Sequence, residues 1–138
     1  KMNIKSFLLI FSILSTSECF SQYSEWVNIR KEKGSNLYIR SDEISLGKVK
    51  KVWIKDVQNK LETFSGSGKK VVITNGYTIS LREFNCDTRQ SKLISNIIYS
   101  SSGKVFYSAI FEDFEQKWED VIPDSRGEFI LIKTCELF

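Results

Sequence analysis

The cysteine and histidine content limits the chemistry that is open to this chain of 138 residues. The chain holds three cysteines and no histidine. It therefore has no Ser-His-Asp triad, no cysteine–histidine pair and no imidazole ligand for a metal ion. A hydrolase built on carboxylates or lysine remains open, although the commonest catalytic base is missing. We expect a protein that is not an enzyme and that uses no cofactor.

A group of lysines is the first candidate for a binding surface. Residues 22–70 hold 11 basic and 6 acidic side chains, whereas residues 71–138 hold 7 and 10. A basic patch would attract an acidic partner, an anionic glycan or a membrane surface, but lysines also protect solvated edge strands from aggregation. The chain is too weakly basic for us to expect nucleic-acid binding. The lysines of this patch are Lys48, Lys50, Lys51, Lys55, Lys69 and Lys70.

Carboxylates and tryptophans form two further groups, each with a functional and an ordinary interpretation. The carboxylates between Glu112 and Asp124 lack the spacing of a calcium loop, so we expect no metal site. They could instead form a hydrolase pair, but solvation of the surface is the simpler interpretation. Trp26, Trp53 and Trp118 could form an aromatic binding face for sugars or peptides, or could belong to the core.

The N-terminal segment has the order of features that is typical of a secretory signal peptide. Lys5 supplies a positive charge, residues 7–14 are apolar, and small polar residues follow. The apolar run is shorter than the roughly 20 residues that a membrane-spanning helix needs. Cleavage after Ser17 or after Ser21 would fit this pattern. A lipid anchor on Cys19 is one alternative, and it would be the chain's only contact with a membrane; an N-terminal buried helix is the other.

These features predict the domain organisation and the location of the protein. We expect residues 1–21 to be a signal peptide and residues 22–138 to be a single domain, because the remainder contains no linker or repeat. The domain would be exported to the periplasm or to the outer cell surface. Cys86 and Cys135 remain in it, and such a pair in an oxidising compartment is most simply a disulfide. The bridge would contribute about 4 kcal/mol, while two unrelated buried thiols are the alternative.

Most of the domain has the pattern of β-strands, and its last three predicted strands form an antiparallel meander with short connections. Residues 49–55 are rich in β-branched and aromatic side chains, but Lys51 and Val52 both break the alternation. That irregularity predicts a bulge or an edge strand. The predicted strands lie near residues 25–30, 37–40, 49–55, 77–82, 93–99 and 105–111.

The C-terminal segment changes from the pattern of a strand to that of a helix. Ser125 and Glu128 have the spacing of a capping box, which predicts a helix from about residue 125 to 137. A seventh strand over residues 128–133 is the competing interpretation. The apolar stripe of the helix would be Phe129, Ile132 and Cys135, so that its cysteine could reach the end of a strand.

The order of these features resembles the surface-adhesin protein E family of exported bacterial proteins. The resemblance extends over about residues 25–136. One departure is Arg40, which stands where the family often has an aspartate. The residues that carry the resemblance are Trp26, Tyr38-Ile39, Ile44, Val49, Val52-Trp53-Ile54, Asn85-Cys86-Asp87, Arg89, Tyr99-Ser100, Gly103, Trp118, Val121-Ile122-Pro123-Asp124-Ser125, Glu128 and Cys135.

The resemblance implies both a fold and a function. The fold is α+β, an antiparallel sheet of about six strands with a C-terminal helix packed on it and tied to it by one disulfide. The members that define the family are surface adhesins that bind host matrix and serum proteins such as vitronectin and laminin, and no catalytic motif comes with the family. We therefore expect an adhesin-like protein with a protein partner. The alternative is a periplasmic small-ligand-binding or inhibitor module without an adhesive role.

Overall fold

The structure, a computed structural model, describes residues 25–43 and 46–138, which form one antiparallel sheet and one helix. The predicted signal peptide lies outside the described residues. The strands are β1 (Val27–Glu32), β2 (Ser35–Arg40), β3 (Val49–Phe64), β4 (Lys70–Asn85), β5 (Gln90–Tyr99), β6 (Val105–Ile110) and β7 (Glu119–Asp120), and the helix is α1 (Arg126–Leu137). The predicted α+β fold is confirmed.

The main strands follow one another across the sheet in chain order, from β1 at one edge to β6 at the other. Neighbouring strands are antiparallel. The short β7 pairs with the start of β5, where Gln90 faces Asp120. β3 and β4 are 16 residues long, and their pairing continues as far as Phe64 and Lys70. The hairpin that they form therefore extends well beyond the part of β3 that pairs with β2.

The main core lies between α1 and one face of the sheet, which we term the covered face. Alternate side chains of each strand point to this face, and the apolar ones among them are removed from water by the helix. The buried residues of this core are Leu37, Ile39, Val52, Ile54, Phe84 and Leu131. A second, smaller cluster supports the distal part of the long hairpin and consists of Leu61, Ile73 and Ile98.

Both ends of α1 are fixed by contacts that the sequence predicted. Ser125 is the N-cap, and its hydroxyl accepts the backbone N–H of Glu128 at 3.2 Å. The helix therefore forms, and the competing strand over residues 128–133 is wrong. Near its other end, Cys135 forms a disulfide with Cys86, with Cα atoms 5.9 Å apart. The predicted pairing of these cysteines is confirmed.

One prediction about the strands is wrong. Residues 49–55 are neither bulged nor at an edge, because β3 is a central strand that pairs with β4 without interruption as far as Gln58. The alternation looked broken because both faces of β3 carry apolar side chains. Val52 is buried on the covered face, whereas Trp53 lies half-buried on the other face. A strand that is apolar on both faces does not show simple alternation.

Candidate functional site

The sheet face opposite α1, which we term the open face, carries aromatic and basic side chains. Tyr38 and Arg40 point to it because they alternate with Leu37 and Ile39 of the main core. The register of β2, β3, β4 and β5 then places further rings beside them. No described helix packs on this face. The rings and cations of the open face are Trp26, Tyr38, Arg40, Trp53, Lys55, Tyr77 and Tyr99.

Cations and rings alternate along the open face. The Arg40 guanidinium lies 5.0 Å from the centre of the Trp26 ring, and the Lys55 ammonium lies 5.9 Å from the same ring. Lys55 is also 5.0 Å from the ring of Tyr77, which stacks on Tyr99 with the ring centres 4.7 Å apart. Each cation–π contact at such a site contributes about 0.5–1 kcal/mol. The rings are therefore held in place while part of each remains accessible to solvent.

Asp42 fixes one end of the open face, and the tryptophans lie on the surface of the sheet. The Asp42 carboxylate accepts the indole N–H of Trp53 at 2.8 Å and pairs with Arg40 at 3.0 Å.

Trp118 is 39% exposed, and the ammonium of Lys92 lies 5.2 Å from its ring. None of the three tryptophans is buried. Their interpretation as core residues is wrong, and a binding face made of the three rings stays a prediction.

The structure does not bring the six lysines of the predicted basic patch together. Lys50 lies on the covered face, opposite Phe84, whereas Lys51 points to the open face. Lys69 and Lys70 lie at the distal end of the hairpin, about 43 Å along β3 from Lys51 at 3.3 Å per residue.

Several of these charges are also compensated by acidic neighbours. Lys48 forms an ion pair with Asp87, which raises the pKa of the lysine, and Lys70 pairs with Glu62 at 2.6 Å. Lys55 is the lysine of the predicted patch that contacts the rings of the open face. A binding role for the whole set stays a prediction.

A cavity of about 380 Å³ opens beside α1 on the covered face. The helix packs over the apolar part of this face and leaves polar side chains of β4 and β5 outside its cover. Ile54, Leu93 and Ile130 supply apolar wall. The polar residues that line the cavity are Asp56, Thr78, Ser80, Arg82, Ser91, Asn96 and Arg126.

The two arginines of the cavity differ in how well their charge is compensated. Arg126 donates to the Asp56 carboxylate at 2.7 Å and forms an ion pair with it. Arg82 donates one long hydrogen bond of 3.5 Å to the Ser91 hydroxyl. Burial lowers the pKa of Arg82, and the nearby charge of Glu119 offsets only part of that effect. The cavity therefore contains a cation without an ion-pair partner among the described residues.

β6 is an edge strand whose exposed side chains are unusually apolar. Its sequence, VFYSAI, contains no charged residue. Natural proteins usually protect such an edge with charges, proline or short length. The other edge, β1, ends in three charged residues and is interrupted by a bulge. The residues that we term the apolar edge are Val105, Phe106, Tyr107 and Ile110, with exposures of 50%, 41%, 47% and 76%.

Other kinds of site find no support in the described part of the chain. Within residues 25–43 and 46–138, no three cysteine or acidic side chains are placed to hold a metal ion. No helix in those ranges is long and apolar enough to span a membrane.

Sequence reasoning missed both the apolar edge and Arg82. An uncharged strand flanked by turns was a signal for the edge, but only the topology shows that β6 comes last in the sheet. On β4, Thr78, Ser80 and Arg82 form a polar series that resembles a solvent face, yet they share the covered face with Ile54. Alternation separates two faces without showing which one the helix covers.

The comparison with protein families identifies the class of this chain. A model of the family described as surface-adhesin protein E matches residues 26–136. The match covers most of the chain, which therefore belongs to this family, and the predicted resemblance is confirmed. Searches of curated proteins and of solved structures found no match. Family membership indicates an adhesin-like protein of the cell surface, whose role is binding.

Proposed function

We propose that this protein is an exported, non-catalytic adhesin that binds a protein partner through the apolar edge. The observation that carries the proposal is the exposed, uncharged strand β6 at the end of the sheet. The backbone groups on the outer side of an edge strand can pair with an extended segment of another protein. The apolar side chains of β6 would then contact alternate residues of that segment.

The open face extends this binding surface. Cross-strand pairing connects Trp53 to Leu81, Leu81 to Ser95 and Ser95 to Ile110 in one row. This row places Trp53 three strands, about 14 Å, from Ile110. Tyr99 pairs directly with Val105 of β6 and stacks on Tyr77. A partner that pairs with β6 would therefore lie nearest to the rings of Tyr99 and Tyr77. Aromatic and arginine side chains are enriched among the residues that dominate protein–protein binding energy. The edge would supply backbone pairing, and the rings would supply selectivity.

Charged substitutions on the edge test this proposal. We expect the double variant Phe106→Lys/Ile110→Lys to lose at least about tenfold in affinity for its partner, because lysines on an edge strand oppose pairing. Binding is measured by surface plasmon resonance against immobilised vitronectin and laminin, the partner class that the family resemblance implies. Phe106 and Ile110 are 41% and 76% exposed and neither belongs to the two core clusters, so the change leaves these clusters intact.

The matched control places the same two charges elsewhere. Phe64 and Val72 are 67% and 51% exposed on the long hairpin, so Phe64→Lys/Val72→Lys adds equal charge to apolar positions away from β6. The control should bind as the unmodified chain does. Equal loss in both variants would contradict the proposed edge, and undiminished binding by the edge variant would also contradict it.

We further propose that residues 1–21 are removed on export and that residues 22–138 form the mature domain at the outer cell surface. Mass spectrometry of the protein isolated from its own cells distinguishes cleavage after Ser17, cleavage after Ser21 and a lipid on Cys19. Protease treatment and antibody labelling of intact cells test the location. A domain that resists both on intact cells, but not on lysed cells, would contradict the surface location.

A further inference from the structure

β6 supplies no side chain to the polar cavity on the covered face, and the fold does not require the polarity of this cavity. Apolar side chains at these positions of β4 would extend the main core, as Phe84 does on the same strand. Instead, Thr78, Ser80 and Arg82 occupy three successive positions on this face. A charged side chain on a central strand requires compensation when it is removed from water.

The charge of the cavity favours an anion. Both oxygens of the Asp56 carboxylate already accept hydrogen bonds, because Arg126 donates to one and Gln58 to the other, each at 2.7 Å. Arg82 remains with only a long contact to a hydroxyl, and Glu119 approaches without forming an ion pair. A guanidinium binds a carboxylate through paired, charge-assisted hydrogen bonds. An anionic group beside Arg82 would therefore supply the ion-pair partner that this arginine lacks among the described residues.

The remaining lining indicates what the anionic group is attached to. The hydroxyls of Thr78, Ser80 and Ser91 both donate and accept hydrogen bonds, and so does the amide of Asn96. The apolar wall of Ile54, Leu93 and Ile130 can contact the carbon skeleton of a ligand. The volume of about 380 Å³ lies at the lower end of the range for small-molecule sites.

From these features we propose that the cavity binds a free sugar acid of monosaccharide size, with its carboxylate on Arg82 and its hydroxyl groups on β4 and β5. This site is independent of the apolar edge. Loss of one would leave the other intact, because β6 supplies no residue to the cavity lining.

Isothermal titration calorimetry of the full chain with D-glucuronate tests the site. We expect saturable binding with a Kd of about 1 mM or tighter, and at least about tenfold weaker binding of glucose, which has the hydroxyl groups without the carboxylate. Arg82→Gln should weaken glucuronate binding at least about tenfold. Lys104→Gln, which removes one positive charge from an exposed loop position outside the cavity, is the matched control and should bind as the unmodified chain does.

Arg82→Gln could also lose binding through a folding defect. A second substitution that is expected to increase glucuronate affinity distinguishes the two causes. Glu119→Gln removes the negative charge that competes for Arg82, so glucuronate affinity should rise by about twofold or more. A structural role of Arg82 would not produce that increase. The site is overturned by absence of saturable glucuronate binding, by equal binding of glucose, or by weaker binding in Glu119→Gln.

Discussion

At the scale of single residues, the Cys86–Cys135 bridge ties the only described helix to the sheet. Cys86 directly follows the last residue of β4, and Cys135 lies in the final turns of α1. A helix of 12 residues is marginal by itself in water and depends on its packing. The bridge reduces the conformational entropy of the unfolded chain, because it joins residues 49 positions apart.

Removal of the bridge is expected to cost much of the stability of the domain. The variant Cys86→Ser/Cys135→Ser should lower the free energy of unfolding by about 4 kcal/mol, measured by urea denaturation with circular dichroism. The unmodified chain under reducing conditions should show the same decrease. A decrease below about 1 kcal/mol in either sample would contradict the assigned role of the bridge.

Single residues also show why the candidate sites were harder to predict than the fold. The cysteine pair and the Ser125 cap follow from local pattern and compartment, and both are confirmed. The position of Arg82 depends on which sheet face α1 covers, which no local pattern contains. On β4 the more apolar series, Tyr77 and Leu81, lies on the open face instead of the core.

At the scale of elements, the long β3–β4 hairpin depends on a close approach at Gly76. A Cβ atom at this buried position would lie 2.7 Å from the Ile73 side chain and 3.0 Å from the backbone oxygen of Tyr99. Only glycine therefore fits between the strands at the point where β4 begins to pair with β5. Ile73, which this Cβ atom would meet, belongs to the small cluster of the distal hairpin.

Gly76→Ala should therefore destabilise the protein. We expect the free energy of unfolding to fall by about 1–3 kcal/mol, the usual cost of overpacking, as measured by chemical denaturation. Gly66→Ala is the matched control, because a Cβ there meets no atom within 4 Å. Its free energy of unfolding should change by less than about 0.5 kcal/mol. Equal effects of the two substitutions would contradict the packing argument.

At the scale of the whole molecule, the sheet has a well-supported half and a lightly supported half. The half beneath α1 contains the main core and the disulfide. The distal part of the hairpin relies on the cluster of Leu61, Ile73 and Ile98, and its side chains at Phe64 and Val72 are more than half exposed. Local stability follows the amount of buried apolar contact.

Hydrogen exchange should show this division directly. Backbone amides of residues 60–64 and 70–74 are expected to exchange at least about tenfold faster than those of residues 52–57 and 79–84, because the distal hairpin can open without disrupting the main core. The measurement is native-state exchange followed by mass spectrometry or NMR. Equal protection in both halves would show that the sheet opens as one unit and would contradict the division.

The contrast between the two edges of the sheet limits how these molecules can assemble. If β6 accepts a strand, as we propose, and the charged edge β1 repels one, the sheet has a single direction of growth. Once β6 has received one added strand, the charged and bulged β1 cannot continue the series. Even at high density, these molecules would therefore form discrete pairs or complexes. They would not form the open-ended fibres that two accepting edges would produce.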